Sequence, residues 1–302
     1  MKIKINIIIV GLLVIFFAFF NCAQAAEKTI GFAVSTLANP FFISMKEGGE
    51  EKAKELGINM ITLDAQDSAE KQISQIQDLI TQNVDVLIIN PVDSDAVVSA
   101  VEEANKAGIP VITVTRPSRG GIVVQHLDID NSFAGKLVAE ELVKTTKGSV
   151  KVAILEGIPG APSAKQRQEG FLKIIKSYDR IEVVTSLTAH YAREEAARVM
   201  EDVLQANPVL DAVYAHNDEM ALGAVRAIIA AGRMDEIKVF GIDAVDDAIA
   251  AIKKGEMVAT VKQQPALQMA TAVESANKII QGEEVEELVI IPLALVNKDN
   301  IK

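Results

Sequence analysis

The chain has 302 residues, a formal net charge of -11, 49% hydrophobic residues and no Trp. This charge argues against nucleic acid as a partner, because phosphates would be repelled and no basic patch is visible. The length and the hydrophobic content allow two domains that are stabilised by burial alone.

The first 26 residues have the parts of a secretory signal peptide. Two lysines precede an apolar run over residues 7–20, and a small-x-small cleavage signal ends at Ala25. We expect cleavage there and export to the periplasm. A retained membrane anchor is the alternative, but the run is short for a span of about 20 residues. Cys22 is the one cysteine and would leave with this leader, so a mature protein without disulfides is expected; lipidation of Cys22 is disfavoured by the large residues before it.

From residue 28 onward, a short apolar run, a polar loop and an amphipathic helical stretch repeat along the chain. This alternation is typical of parallel sheets flanked by helices. About ten strands in two runs predict an α/β fold with two Rossmann-like lobes. The predicted strands cover residues 28–34, 58–63, 84–89, 109–114, 122–127, 150–155, 181–185, 210–215, 237–242 and 257–261. The predicted helices cover residues 40–56, 68–82, 94–107, 131–147, 162–177, 193–206, 217–231, 244–253 and 265–281.

The link between the first strand and the first helix is a candidate binding element. Asn39 is a good N-cap, Pro40 suits the first helical position, and the spacing over residues 43–56 is helical. Phe41 and Phe42 fall in the first turn, which faces the loop side of the sheet, where a ligand would lie. A hydrophobic staple that sets the helix entry angle is the alternative interpretation of these two phenylalanines.

Polar or charged side chains follow most of the predicted strands. In open parallel sheets, ligands bind outside the carboxyl ends of the strands. Any one such residue is more often a helix cap, but Arg116 caps nothing and Gln263 precedes Pro265. Amide, carboxylate and guanidinium groups suit the hydroxyls of a sugar or polyol, and aromatic rings suit its faces. The strand-end residues are Ser35, Thr36, Asp64, Asn90, Thr115, Arg116, Asn217, Asp243 and Gln263.

No motif for catalysis or for metal binding is visible in the sequence. The three histidines, His126, His190 and His216, are too scattered to suggest a metal site. Asp64 and Asp243 could imitate the carboxylate pair of a glycosidase, but they fall in different predicted lobes. We therefore expect a protein that is not an enzyme and that needs no cofactor or metal.

Five motifs occur in order along the chain: STLANPFF at 35–42, INPVDSDA at 89–96, SAKQRQEGF at 163–171, AHNDEMALGA at 215–224 and GID at 241–243. This set resembles the periplasmic sugar-binding proteins of ABC importers, and among them the ribose-binding proteins. The resemblance covers nearly the whole mature chain, and the NPFF and NDEMALG runs are specific to this group.

The resemblance implies a type I periplasmic binding protein fold and a monomer that captures a monosaccharide or related polyol and delivers it to an ABC permease. A ligand-sensing partner of a membrane chemoreceptor or histidine kinase is the alternative. The effector-binding half of sugar-responsive repressors shares this fold, but it needs a helix-turn-helix where the leader lies. The implied lobes are residues 27–129 with 262–290 and residues 130–261 with 291–302. Three hinge strands would join them near residues 129–130, 261–262 and 290–291.

The resemblance also implies a set of ligand-binding residues. Those expected to bind hydroxyls are Asn39, Arg116, Arg167, Asn217, Asp243 and Gln263, and those expected to stack are Phe41, Phe42 and Tyr191, with Asn90 nearby. Tyr191 stands where ribose-binding proteins have Phe.

Thr115 is a second departure, because ribose-binding proteins have Asp at this position. Losing a charge-assisted contact to a buried hydroxyl costs about 1.5 to 3 kcal/mol, so ribose is not expected to be the best ligand. Arg116 and Arg167 would face one carboxylate, Asp243. We expect a different sugar, a polyol, or a sugar acid whose carboxylate replaces the missing Asp, unless nearby acidic residues, Asp128 or Asp130, restore the balance.

Overall fold

The computed structural model describes residues 28–301, so the predicted signal peptide, its cleavage site and Cys22 lie outside the described residues. Within this range the chain forms twelve strands and nine helices, and the strands build two separate six-stranded sheets. The predicted α/β fold with two layered halves is confirmed. None of the helices in residues 28–301 is both long and apolar enough to cross a membrane.

The elements alternate strand and helix along most of the chain. In order they are β1 (Thr29–Val34), α1 (Pro40–Leu56), β2 (Asn59–Asp64), α2 (Ala69–Thr81), β3 (Val86–Ile89), α3 (Val98–Lys106), β4 (Val111–Val114), β5 (Gln125–Asp128), α4 (Asn131–Thr146), β6 (Val150–Glu156), α5 (Pro162–Ile175), β7 (Ile181–Thr188), α6 (Arg193–Ala206), β8 (Ala212–Ala215), α7 (Asp218–Ala230), β9 (Lys238–Asp243), α8 (Asp246–Lys254), β10 (Ala259–Lys262), α9 (Pro265–Ile280), β11 (Leu288–Ile290) and β12 (Ala294–Asn297).

The first sheet is parallel throughout, with the strand order β11-β5-β4-β3-β1-β2. The second sheet has the order β12-β10-β9-β8-β6-β7, and only the β10–β12 pair is antiparallel. The central strands β3 and β4 are fully buried and are apolar apart from Thr113, as expected for parallel strands covered by helices on both faces.

The chain passes between the two sheets three times. It leaves β5 of the first sheet for α4, which packs on β9 and β10 of the second sheet. It leaves β10 for α9, which packs on α1 and on β3, β4 and β5 of the first sheet. The last passage leads from β11 to β12. Three short connections therefore join the two halves.

The observed elements differ from the predicted ones at several places, including the start of α3, the start of β5, the end of β7 and the last two strands. Helix α3 begins at Val98 rather than near residue 94, because Asp93 Oδ1 accepts hydrogen bonds from the backbone N–H groups of Asp95 and Ala96 and holds a turn there. Strand β5 begins at Gln125, later than predicted. Strands β11 and β12 were not predicted, since both are short edge strands with little buried apolar sequence.

Candidate functional site

A cleft lies at the carboxyl ends of strands from both sheets, with a cavity volume of about 50 Å³ and about 390 Å³ of atom-free space when the region open to solvent is counted. Ten of the eleven residues predicted for ligand binding line it, and Asn90 does not. Ser163 lines it without having been predicted. The lining residues are Asn39, Phe41, Phe42, Thr115, Arg116, Ser163, Arg167, Tyr191, Asn217, Asp243 and Gln263.

The start of α1 supplies an aromatic wall of the cleft. Asn39 Oδ1 accepts a hydrogen bond from the Phe41 N–H at 2.9 Å, so Asn39 is the N-cap. Phe41 and Phe42 meet edge to face, with ring centroids 5.1 Å apart. Both rings belong to the core of the first half and also border the cleft. The pair therefore packs in the core and also borders the cleft, and its contact with a ligand stays a prediction.

The loop after β4 places Thr115 and Arg116 in the cleft. The Thr115 hydroxyl donates to Gln268 Oε1 at 3.3 Å. Arg116 Nη1 donates to the carbonyl oxygens of Pro91 and Val92 at 2.9 and 3.0 Å. Burial lowers the pKa of the Arg116 guanidinium, which nevertheless stays charged. These bonds hold one edge of the guanidinium and leave its other edge for the cleft.

Arg167 enters from the opposite half, on α5. Its Nε donates to Asn131 Oδ1 at 2.9 Å, and its Nη1 donates to the His216 carbonyl oxygen at 2.6 Å. Helices α4 and α5 approach closely enough that a Cβ added at Gly135 would lie 2.0 Å from the Arg167 carbonyl oxygen. The absence of a side chain at Gly135 thus allows the helix contact that positions Arg167.

Tyr191 lies between β7 and α6 and forms a second aromatic surface. Its hydroxyl shares a hydrogen bond of 3.0 Å with Ser163 Oγ. Its ring covers Gly157 so closely that an added Cβ would lie 2.0 Å from the ring. Ser163 follows Pro162 at the start of α5, where a serine gives no sequence signal of its own for ligand binding.

Asn217 serves both as a helix cap and as part of the cleft. Its Oδ1 accepts from the Met220 N–H at 3.0 Å, and its Nδ2 donates to the Tyr191 carbonyl oxygen at 3.3 Å. The amide plane is therefore held by α7 and by the loop that carries Tyr191. The sequence could not separate a cap from a cleft residue here, because the same side chain caps α7 and lines the cleft.

Asp243 ends β9, and Gln263 directly follows the neighbouring strand β10. Gln263 Nε2 donates to Asp243 Oδ1 at 2.6 Å. Burial raises the pKa of the Asp243 carboxyl, nearby Asp218 raises it further, and Arg167 opposes both. Asp218 is fully buried and accepts from Thr260 Oγ1 at 2.7 Å; burial raises its pKa to about 6. Two acidic groups therefore lie close together beneath this side of the cleft.

Asn90 lies behind the cleft rather than on its surface. It is fully buried, and its Oδ1 accepts from Ser35 Oγ at 2.6 Å while its Nδ2 donates to the Val114 carbonyl oxygen at 3.0 Å. These bonds tie the ends of β1, β3 and β4 together. Asn90 therefore supports the loop that carries Thr115.

Neither acidic residue that could have balanced the two arginines lines the cleft. Asp128 Oδ1 accepts from the Ile129 N–H at 2.8 Å, and Asp130 Oδ1 caps α4 by accepting from the Phe133 N–H at 2.8 Å. Asp64, the possible partner of Asp243 in a glycosidase carboxylate pair, does not line the cleft. Its Oδ1 accepts from the backbone N–H groups of Leu37 and Gln66. The cleft thus contains one carboxylate, Asp243.

The histidines make separate local contacts. His216 is buried, which lowers its pKa to about 3, and its Nδ1 accepts from the Gly157 N–H at 3.2 Å. His190 pairs with Glu195 at the surface, and His126 contacts Thr113. In the part of the chain that the structure describes, no group of three or more His, Cys, Asp or Glu side chains is arranged to hold a metal ion.

Comparison with known proteins places this architecture in a family. The model of the periplasmic binding protein domain matches residues 30–284. The ribose import binding protein RbsB of Bacillus subtilis (strain 168) is 44% identical over 275 residues, which are 91% of this chain and 89% of that protein.

Two solved structures are similar over nearly their whole length. One is an ABC transporter periplasmic solute binding protein from Actinobacillus succinogenes 130z with bound D-allose, with 35% identity, a TM-score of 0.86, and coverage of 90% of this chain and 98% of that one. The other is an ABC transporter solute binding protein from Bacillus halodurans C-125 with bound myo-inositol, with 37% identity, a TM-score of 0.86, and coverage of 91% and 96%. The resemblance predicted from the five motifs is confirmed, and this chain belongs to the periplasmic binding protein family.

Proposed function

We propose that this protein captures a monosaccharide or related polyol between its two halves and delivers it to the permease of an ABC importer, without catalysing a reaction. One observation carries the proposal: side chains from two separate sheets converge on a single cleft. The named relatives support it, since they are an import binding protein for ribose and solute binding proteins with bound allose or inositol.

The lining groups suit a polyhydroxylated ligand. Two guanidiniums donate, the Asp243 and Gln263 oxygens that are free of other contacts accept, and the Tyr191 and Ser163 hydroxyls can do either. Phe41 and Phe42 offer apolar surface for the C–H faces of a sugar ring. Each ligand hydroxyl both donates and accepts hydrogen bonds, so a lining that contains both donors and acceptors can satisfy it.

The two halves act as lobes in this proposal. We assign residues 27–129 and 262–290 to one lobe and residues 130–261 and 291–302 to the other, because α9 packs on the first sheet and α4 on the second. Ligand binds one lobe, and its remaining hydroxyls then attract the other. The closed form is favoured only by the contacts that bridge both lobes.

The proposed ligand contacts are the predicted residues that line the cleft, with Ser163 added. Asn90 acts through Thr115 by holding the ends of three strands. We further propose that the protein works as a periplasmic monomer, exported by the leader, and that its closed form is what the permease recognises. The sensing role beside a chemoreceptor or kinase stays a prediction from the sequence.

A panel of ligands tests the proposal. Purified mature protein is heated with aldoses, alditols and sugar acids, and with amino acids as the negative set, and each compound that raises Tm is then titrated by calorimetry. We expect saturable binding of one molecule per chain for at least one sugar or polyol, and the same compound recovered unchanged by NMR. Failure of all sugars and polyols to bind would refute the transport function, and a chemically altered product would refute the absence of catalysis.

A further inference from the structure

Within residues 28–301, neither of the two buried arginines in the cleft forms an ion pair. Arg116 and Arg167 are 8% and 4% exposed. The arginines that form ion pairs in residues 28–301 are others, Arg119, Arg193, Arg226 and Arg233. Arg116 and Arg167 bond only to neutral oxygens, namely three backbone carbonyls and the Asn131 amide. Burying a cation without a counter-charge is costly, so a negative charge that enters the cleft is stabilised by both groups.

The acidic residues of the region do not supply that charge. Asp243 has one oxygen bonded to Gln263 and lies in the field of buried Asp218, which favours the protonated form of its carboxyl. Asp67 and Asp93 act on Arg116 through space, but both are exposed, and water screens their effect. Two guanidiniums therefore face a single carboxyl group.

The cleft also has more free hydrogen-bond donors than free acceptors. Within residues 28–301, Nη2 of both arginines and Asn39 Nδ2 donate to no other group of the protein, so these are available donors. The acceptors left are one oxygen of Asp243 and the oxygen of Gln263, besides hydroxyls. Thr115, the neighbour of Arg116, already uses its hydroxyl hydrogen on Gln268. A ligand that brings extra acceptors matches this surplus of donors.

We propose that the preferred ligand is an acidic sugar derivative, an aldonate or uronate of five or six carbons. Its carboxylate binds the Arg116 guanidinium beside Thr115, in the field of Arg167, and its hydroxyls meet Asp243 and Gln263. This inference rests on the proposed function and names the substrate class of the same cleft. A planar carboxylate fits the fork of a guanidinium with two parallel hydrogen bonds.

Matched compounds separate charge from shape. Calorimetry compares D-ribose, ribitol and D-ribonate, and then D-galactose, galactitol, D-galactonate and D-galacturonate. We expect an acid to bind at least about tenfold more tightly than the neutral compounds of its series, the size of one charged hydrogen bond. Its affinity falls as salt is added, because the contact is between opposite charges.

Two variants of one residue provide the control. Thr115→Asp puts a carboxylate beside Arg116, and Thr115→Asn has the same shape without the charge. Both residues tolerate the positive φ of 66° at this position better than threonine does. We expect Thr115→Asp to weaken acid binding at least about tenfold relative to Thr115→Asn, and to strengthen binding of the matched neutral sugar.

The outcomes distinguish this inference from the function on which it rests. Tighter binding of neutral compounds than of acids by the wild-type protein overturns the inference and leaves sugar transport standing. Equal acid affinity in Thr115→Asp and Thr115→Asn also overturns it, since the carboxylate would then lie elsewhere. Binding of none of the compounds counts against both.

Discussion

Replacement of Arg167 by alanine gives a direct measure of how the second half contributes to binding. Arg167 is held by Asn131 and by the His216 carbonyl, and these two bonds keep its third nitrogen directed at the cleft without help from the ligand. The side chain is 4% exposed, so little of its charge is screened by water. Arg167→Ala therefore removes a preformed charged donor rather than a mobile one.

The expected loss follows from that geometry. A hydrogen bond to a charged group contributes about 1.5 to 3 kcal/mol, which corresponds to a rise in Kd of about ten- to a hundredfold. Two effects on the unfolding free energy of the ligand-free protein oppose each other. Two acceptors lose their donor, which destabilises the fold, while removal of an unpaired buried cation stabilises it. Arg167→Lys keeps the charge but lacks the planar fork, and we expect a Kd between those of wild type and Arg167→Ala.

Calorimetry is the assay of choice, because the chain has no Trp to report binding by fluorescence. Arg198→Ala is the matched control: Arg198 lies on α6, is exposed, and its loss changes the net charge equally. We expect the control to bind like wild type. A folded Arg167→Ala protein with a Kd within about twofold of wild type would show that the guanidinium does not contact the ligand, and would remove Arg167 from the site.

Three further predictions test the carboxyl group that lines the cleft, the buried carboxyl of Asp218 and the contact between α4 and α5. Asp243→Ala weakens binding of a neutral sugar or polyol about tenfold or more, since it removes an acceptor of the cleft and leaves Gln263 Nε2 without its partner; calorimetry showing wild-type affinity contradicts this. The pKa of Asp218 is raised from 3.8 to about 6 in the folded state, so the folded protein binds this proton more tightly than the unfolded chain does. The contribution of Asp218 to stability therefore falls as pH rises from about 4 to about 6. Denaturant titrations across that range should show a flatter pH dependence for Asp218→Asn, and an unchanged slope would refute the assignment. Gly135→Ala forces α4 away from the Arg167 carbonyl and should lower the unfolding free energy by about 1 to 3 kcal/mol, whereas Glu140→Ala on the exposed face of α4 should not; equal Tm values would contradict the close contact.

The sequence identified the lining of the cleft more completely than the edges of the sheets. Arg116 was recognisable because an arginine at the end of a parallel strand has no capping role. The sequence could not distinguish Asn90 from the residues that line the cleft, since it also follows a strand. Only the structure shows that its amide is bonded to Ser35 and Val114. Strand β11 has three residues, two of them exposed, so no periodicity could reveal it.

The backbone supplies a second, independent mark of the cleft. Three of its lining residues have positive φ without being glycine: Thr115 at 66°, Tyr191 at 62° and Asp243 at 140°. Such conformations cost about 1 to 3 kcal/mol each and persist only where the surrounding structure enforces them. Threonine is the least expected of the three because it is β-branched. No residue pattern predicts this strain, since it arises from the hydrogen bonds that hold each loop. Its coincidence with the residues chosen on chemical grounds indicates that these loops are shaped for the position of their side chains rather than for stability.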